Sequence, residues 1–406
     1  MRRSLTSTLA GLALLLGSSA MATAADPNPA DWNAVLAAAK GETVYFNAWG
    51  GEPRINAYIA WAGEEVSKRY GVTVNLVKLD DTGAAVSKVL AEKSAGKLDG
   101  GSVDLIWING KNFAAMKEAG LLFGPFAEAL PSFAGTDADH HPAVRSDFTV
   151  ATDGKEVPWG QAQVVFMYDT AALPLPPKSM EGLLSWTKAN QGRFTYPLPP
   201  DFLGSTFLKQ ALIEISADKP ALYKPVDQAD FAKVTAPLWA YLDQLHPNLW
   251  RSGKTFPANS SDLRKLFADG ETKIAFAFNP AEASAAIANK ELPDTVRTYV
   301  LDGGTIGNVH FLAIPFNSAN KAAAMVLANF MLSPEAQARK LDPAIWGDWT
   351  VLATGTLPAA DKALFDAVPH GVATLSPAEL GAAVPEPHPS WMAAIEKEWA
   401  KRYSGN

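Results

Sequence analysis

Hydrophobic and polar positions along the chain change period in a repeating order. "TVYFNA", residues 43–48, is a short apolar run closed by Trp49-Gly50-Gly51, the mark of a buried strand that ends in a turn. Pro53 suits the first turn of a helix. Ile55, Ile59, Ala62, Val66 and Tyr70 then recur at helical spacing, with Glu64, Glu65, Lys68 and Arg69 on the polar side. Gly71 stops this helix, and "VTVNLV" gives a second strand. Such a β–α–β unit in one sheet implies parallel strands and a right-handed crossover. A helix over about 82–96 and the strand "VDLIWI", 103–108, follow, and this strand breaks at Asn109-Gly110 into the helix "KNFAAMKEAG".

The second half restarts the alternation. "EVPWGQAQVVFMYDTAAL", 156–173, reads as a long extended run, followed by a helix over 179–190, a short strand "RFTYP" and a helix from Ser205 to Ile215. An amphipathic helix covers 229–245, and "SSDLRKLFADG" is a short helix capped by Ser260 or Ser261. "TKIAFAF" is a strand, with a helix opening at Asn279-Pro280, and "TVRTYVLD" is another. "GGTIGNVHFLAIPF" is a second long connecting strand, and helices are expected over 319–340, from Ser333, and over 388–403. In the last, Trp391, Ile395 and Trp399 stand at steps of four, a packing stripe.

Composition narrows the setting. Arg2 and Arg3, an apolar run from Leu9 to about Gly17 and the small residues Ala22-Thr23-Ala24 form a secretory leader, with cleavage expected after Ala24. Arg2-Arg3 lacks the flanking residues of a twin-arginine signal, so the general route is expected. The chain has no Cys, hence neither disulfides nor a lipidated N-terminus, and the expected location is the periplasm. Loss of the leader takes the net charge from -7 to -9, which argues against a nucleic-acid partner. About 380 mature residues exceed one comfortable core, so two lobes are expected. No catalytic or nucleotide-binding motif stands out, whether G-x-S-x-G, H-E-x-x-H, a Walker loop or G-x-G-x-x-G; no enzyme activity and no cofactor are expected. "TDADHHPAVRSD" gathers Asp137, Asp139, His140 and His141 without metal-site spacing and reads as a solvated loop.

Ligands of open α/β sheets sit beyond the carboxyl ends of the strands, where helix N-termini present free N–H groups. Trp49, Gly50 and Gly51 at one strand end, and Asn109 and Lys111 at another, are therefore candidate ligand contacts. In the second half Tyr196, Asp201 and Ser205 lie in the loop "TYPLPPDFLGST", and Asn279 and Glu282 at the next strand-to-helix turn. Each also has a plain structural reading. Trp49 could pack under the second lobe, Asp201 and Asn279 could cap helices, and Lys111 could be solvated. Trp107 and His310 read as core.

The ordered set of the exported N-terminus, "TVYFNAWGG", "WINGKNFAAMKEAGLLFGPF", "YPLPPDFLGSTF", "GGTIGNVHFLAIPFN" and "SPEAQ" resembles the family 1 type of periplasmic substrate-binding proteins of ABC importers, in its YnjB-like branch. The resemblance implies a two-lobed α/β fold, each lobe a mainly parallel sheet flanked by helices, joined by two crossing strands. The expected division is a leader at 1–24, lobe 1 from 25–157 and 311–406, and lobe 2 from 158–310. It places Trp159 and Gln161 at the cleft border. The implied partners are a small-molecule solute and the permease and ATPase of an importer, with the binding protein itself a monomer. Aromatics with Asp201 favour a cationic or aromatic solute; helix N-termini with Lys111 would suit an anion. A secreted hydrolase without a motif, or a sensor or scaffold protein, is the alternative.

Overall fold

A computed structural model describes residues 26–404; the expected leader lies outside them. The strands are β1 (Thr43–Trp49), β2 (Thr73–Leu79), β3 (Leu105–Ile108), β4 (Ser146–Asp147), β5 (Val150–Ala151), β6 (Glu156–Gln163), β7 (Val165–Asp169), β8 (Ile274–Ala277), β9 (Val296–Tyr299) and β10 (Gly307–Ala313). The α-helices are α1 (Trp32–Ala39), α2 (Pro53–Tyr70), α3 (Gly83–Ser94), α4 (Gly110–Glu118), α5 (Met180–Ala189), α6 (Phe202–Ile215) and α7 (Phe231–Leu245). They continue with α8 (Ser260–Ala268), α9 (Glu282–Ala288), α10 (Lys321–Met331), α11 (Pro334–Leu341), α12 (Ala359–Asp366), α13 (Pro377–Leu380) and α14 (Pro389–Tyr403). Among the described residues no helix is long and apolar enough to cross a membrane.

Two sheets carry the molecule. The first runs β2-β1-β3-β10-β6, with β1 parallel to both β2 and β3 as its βαβ pattern required, and with β10 antiparallel to β3 and β6. The second runs β8-β7-β9, and β7 is antiparallel to both neighbours. The two-lobed α/β architecture stands. The parallel character expected of each sheet belongs to β2-β1-β3 alone, because the chain enters both sheets on strands that arrive from the other lobe and so oppose their neighbours.

The long run 156–173 divides at Val164, with β6 in the first sheet and β7 in the second. Gln163 stands opposite Gly307, and the Val164 amide donates to the Ile306 carbonyl at 2.8 Å, so the two crossing segments are hydrogen-bonded side by side. The hydrophobic residues form a first core from α1, α2, β1, β3, β6, β10 and α10–α12, a second from β7–β9, α5–α9 and α14, and a smaller cluster between β3, α3 and α4. Phe365 and Val368 belong to the first core, but Ala373, Trp391, Ile395 and Trp399 belong to the second. This corrects the expectation that all of 311–406 lies in the first lobe. The stripe on α14 is real, but its apolar face is buried against α6 and the helices beneath it. The chain thus passes between the lobes a third time, within 368–373.

Smaller differences have local causes. Arg193–Pro197 forms no strand, since its backbone groups bond to Trp250 and Lys273 singly and not in a ladder. Helix α6 starts at Phe202, three residues before Ser205, because Asp201 caps it. Asn259, not a serine, caps α8. Pro334 after the Ser333 cap divides the expected 319–340 helix into α10 and α11.

Candidate functional site

The carboxyl ends of β1, β2 and β3 face the first turns of α6, α8 and α9 and one side of α14. Asp81, Asn109, Gly110, Lys111, Asn112 and Phe148 from the first lobe meet Pro200, Phe202 and Met392 from the second around a narrow crevice of about 20 Å³. Asn109 sits at the N-cap of α4 in extended conformation, and its side chain makes no cap hydrogen bond. Its amide is left to serve the crevice. Lys111 pairs with Glu396 of α14 at 2.8 Å, and Ser205 Oγ donates to the same carboxylate at 2.7 Å. The solvated reading of Lys111 is thereby replaced by an ion pair between the lobes.

Gly110 shows why this strand end requires glycine. Its φ is +57°, and a Cβ there would stand 2.8 Å from the Phe148 ring. Phe148 is the tip of the β4–β5 hairpin, which reaches from the first lobe to the second. Its ring lies 4.7 Å from the Lys209 ammonium, which also approaches Phe202 at 5.4 Å and bonds Glu386 at 2.6 Å. Lys209 and Glu386 are both buried, and Asn308 donates to the second Glu386 oxygen at 3.0 Å. Beside them Asp147 accepts from the Gly110 amide at 2.7 Å, and burial pushes its carboxyl up.

The turn after β1 behaves differently from its expected role. Gly50 donates its N–H to the Leu79 carbonyl at 2.9 Å, so that group is not free for a ligand. A Cβ on Gly51 would lie 2.4 Å from the Trp49 ring. The glycine lets Trp49 fold back over the turn and pack on the first core, which leaves the ring partly buried.

Three expected cleft residues lie elsewhere. Trp159 is 0% exposed among Phe46, Trp107, His310 and Trp346. An inward-facing position on a two-sided sheet is core, whatever its distance from the crossing. Gln161 is exposed and donates to the Thr350 carbonyl at 2.7 Å, on the first lobe. Tyr196 is 0% exposed in the second core, stacked on Phe207, its hydroxyl shared between His246 Nε2 at 2.7 Å and Trp399 Nε1 at 2.9 Å.

Asp201 is the N-cap of α6, accepting from the Leu203 amide at 2.9 Å and the Gly204 amide at 3.1 Å. Burial nevertheless raises its carboxyl to about 6, with Asp81 across the crevice adding to the rise. Asn279 closes the turn that precedes α9, accepting from the Ala281 amide at 2.9 Å while donating to the Trp346 carbonyl of the first lobe at 3.0 Å. Glu282 pairs with Arg264. The residues that sequence reasoning missed include Asp81 and Asn112, next to strand ends already suspected, and Phe148, Lys209, Glu386 and Met392, which only the fold brings together. His140 and His141 stay on the surface loop, His140 beside Asp137 at 2.8 Å, and no metal-ligand group of three occurs among the described residues.

Residues 61–365 match a family model described as bacterial extracellular solute-binding protein. Protein YnjB of Escherichia coli (strain K12) is 45% identical over 373 residues, 92% of this chain and 94% of YnjB. Among solved structures, the periplasmic binding protein AfuA from Actinobacillus pleuropneumoniae, with fructose-6-phosphate bound, matches with a TM-score of 0.62 and 14% identity over 90% of this chain and 99% of AfuA. An ABC transporter structure from Clostridium perfringens matches with a TM-score of 0.56 and 17% identity over 89% of this chain and 98% of that one. The structural likenesses speak to the fold. The family match and the YnjB identity, each spanning most of the sequence, go further: the chain belongs to the bacterial extracellular solute-binding proteins.

Proposed function

We propose that this protein captures a small organic solute between its lobes in the periplasm and passes it to the permease of an ABC importer, whose ATPase supplies the energy. The leader would be removed near Ala24, and the protein itself carries out no chemistry. The observation that carries this reading is the crevice between the ends of β2 and β3 and the start of α6, lined from both lobes. A solute there touches both jaws, so it binds the closed form better than the open one, and that difference is what drives closure. Asn109 and Asn112 offer neutral donors and acceptors, and Phe148, Phe202 and Met392 offer an apolar wall.

The chemistry of the lining favours a solute with an apolar or aromatic body and a positive or neutral polar end. Lys111, Lys209 and Arg264 already have carboxylate partners, whereas Asp81 lines the crevice, close enough to the capping Asp201 to raise its pKa. An anion in the crevice would have to displace the Lys111–Glu396 pair, since the unpartnered Arg54 Nη1 lies outside the lining. Asp201 is occupied as a cap, and Tyr196 is out of reach, so the aromatic contribution falls to Phe148 and Phe202.

The test is mass spectrometry of solute released from purified protein by mild denaturation, followed by calorimetry with that solute. It should emerge chemically unchanged. Asn109→Ala should weaken binding about tenfold, roughly 1.4 kcal/mol, with an unchanged melting temperature, because the side chain makes no cap hydrogen bond within its helix. Gln161→Ala should leave affinity alone. Wild-type affinity in Asn109→Ala would remove this crevice as the site.

A further inference from the structure

Four side chains between the lobes form a closed cycle of alternating charge. Glu52 and Arg54 come from the first lobe, on the turn after β1 and the start of α2; Arg264 on α8 and Glu282 at the start of α9 come from the second. Glu52 lies 3.2 Å from Arg54, Arg54 lies 3.8 Å from Glu282, Glu282 is hydrogen-bonded to Arg264, and Arg264 lies 3.1 Å from Glu52. Two of the four links therefore cross from one lobe to the other. Glu291 approaches Arg264 from the rim at 3.7 Å.

Isolated surface ion pairs contribute little, and the pairs on α2 at Glu64, Glu65 and Lys68 are of that kind. The cycle differs in two respects. Its side chains are only 12% to 22% exposed, so water screens them less. Each charge also has at least two opposite neighbours, although Arg54 Nη1 is buried without a hydrogen-bond partner. Burial alone would push Glu52 up, but Arg54 and then Arg264 hold it below the usual carboxylate range. Separating the lobes breaks both crossing links at once and leaves each half with only its neighbour on the same jaw.

We infer that this cycle is a latch, a device that holds the jaws together through protein contacts alone and sets the closed-to-open ratio whatever the solute. The inference rests on reading the two lobes as jaws, but not on the identity or position of the solute. It adds the same increment of closure for every ligand, so it tunes affinity without contributing specificity.

The absence of native cysteine allows a clean test. Leu98 and Leu175 are exposed, one on each lobe. Leu98→Cys with Leu175→Cys accepts a pair of spin labels, and double electron–electron resonance then reads lobe separation in the purified, solute-stripped protein. At low salt the short distance should dominate. Arg264→Gln and Glu52→Gln should each lower the closed-to-open ratio about tenfold, equivalent to roughly 1.4 kcal/mol, and 1 M NaCl should act in the same direction on the wild type. The double variant should be no more open than the more open single one, since either change breaks the cycle. Glu52 and Arg264 stand on different lobes, so a folding defect in one variant leaves the other as the test. A distribution unchanged by both substitutions, or a wild type already dominated by the long distance, overturns the latch. Lobe separation is read without any ligand, so failure here is distinct from failure to find a solute in the crevice.

Discussion

Asp201 shows how one side chain can look like a ligand contact and be a cap under electrostatic load. Both of its accepted amide bonds belong to α6, yet burial carries its carboxyl from 3.8 to about 6. An acid whose folded pKa is raised lowers stability as pH rises: between about pH 4 and 6 the unfolded chain has released the proton and the folded one still holds it. Above pH 6 the penalty is complete. His246 works in the opposite sense, since burial lowers it to about 4 and stability is lost as pH falls from 6.5 towards 4. Asn caps a helix as well as Asp does. Asp201→Asn should therefore be more stable than the wild type at pH 7, by on the order of 1–2 kcal/mol, and equal to it at pH 4. Chemical denaturation across that range measures the difference curve, which separates Asp201 and its repulsion from Asp81 from the contribution of His246. A variant less stable at pH 7 would show that the carboxylate charge is needed where it stands.

At the scale of elements, α14 is the clearest case of a legible pattern with an illegible partner. The stripe Trp391, Ile395, Trp399 said that the helix packs; it could not say against which lobe. The structure buries it in the second core, with Trp399 Nε1 donating to the Tyr196 hydroxyl and its ring 5.4 Å from Phe256. Trp399→Ala should cost about 3–5 kcal/mol, the range for large aromatic truncations in a core, and Trp399→Phe should recover more than half of it. Denaturant melts that show a loss below about 1 kcal/mol would place the helix outside the core. The βαβ start, the glycine stops and the strand-end turns were readable because they depend on local period and backbone freedom. The split of the 156–173 run at Val164 was not, since a strand buried in one sheet and a strand buried in the next carry the same apolar pattern. Site residues failed for the same reason. Lys209 and Glu386 lie 177 residues apart, and nothing local marks either one as half of a pair. Trp159 and Tyr196 lie near the crossing and the loop in sequence, but their side chains point into cores.

For the whole molecule, the segment between the third passage of the chain and α14 bears on how the lobes can move. Hinge closure concentrates the backbone change in a few residues between rigid bodies. Here those residues are Gln163–Val165 and Thr305–Gly307, and the segment before α14 lies along them. Val384 donates to the Thr305 carbonyl at 2.8 Å, Gly307 donates to the Val384 carbonyl at 3.0 Å, and Gln163 Nε2 donates to the Leu380 carbonyl at 3.2 Å. The same segment ends at Glu386, which holds Lys209 in the second lobe and Asn308 on β10. A third segment hydrogen-bonded to the two crossing segments adds resistance to their twisting. Gly307 is where this packing is tightest, since a Cβ there would meet the Ala383 Cβ at 2.6 Å and the Ala162 carbonyl oxygen at 2.9 Å. Gly307→Ala must therefore push the 382–386 segment off the crossing strands. Hydrogen exchange at the Gly307 and Val384 amides should accelerate at least about tenfold, the equivalent of losing roughly 1.4 kcal/mol of local protection. Amides in the middle of β1 and α7, in the two cores, should exchange as before. Lobe-separation measurements on the same variant should show a broader open population. If exchange at both amides is unchanged, the 380–386 segment is a passive neighbour of the hinge, and the two crossing segments alone govern closure.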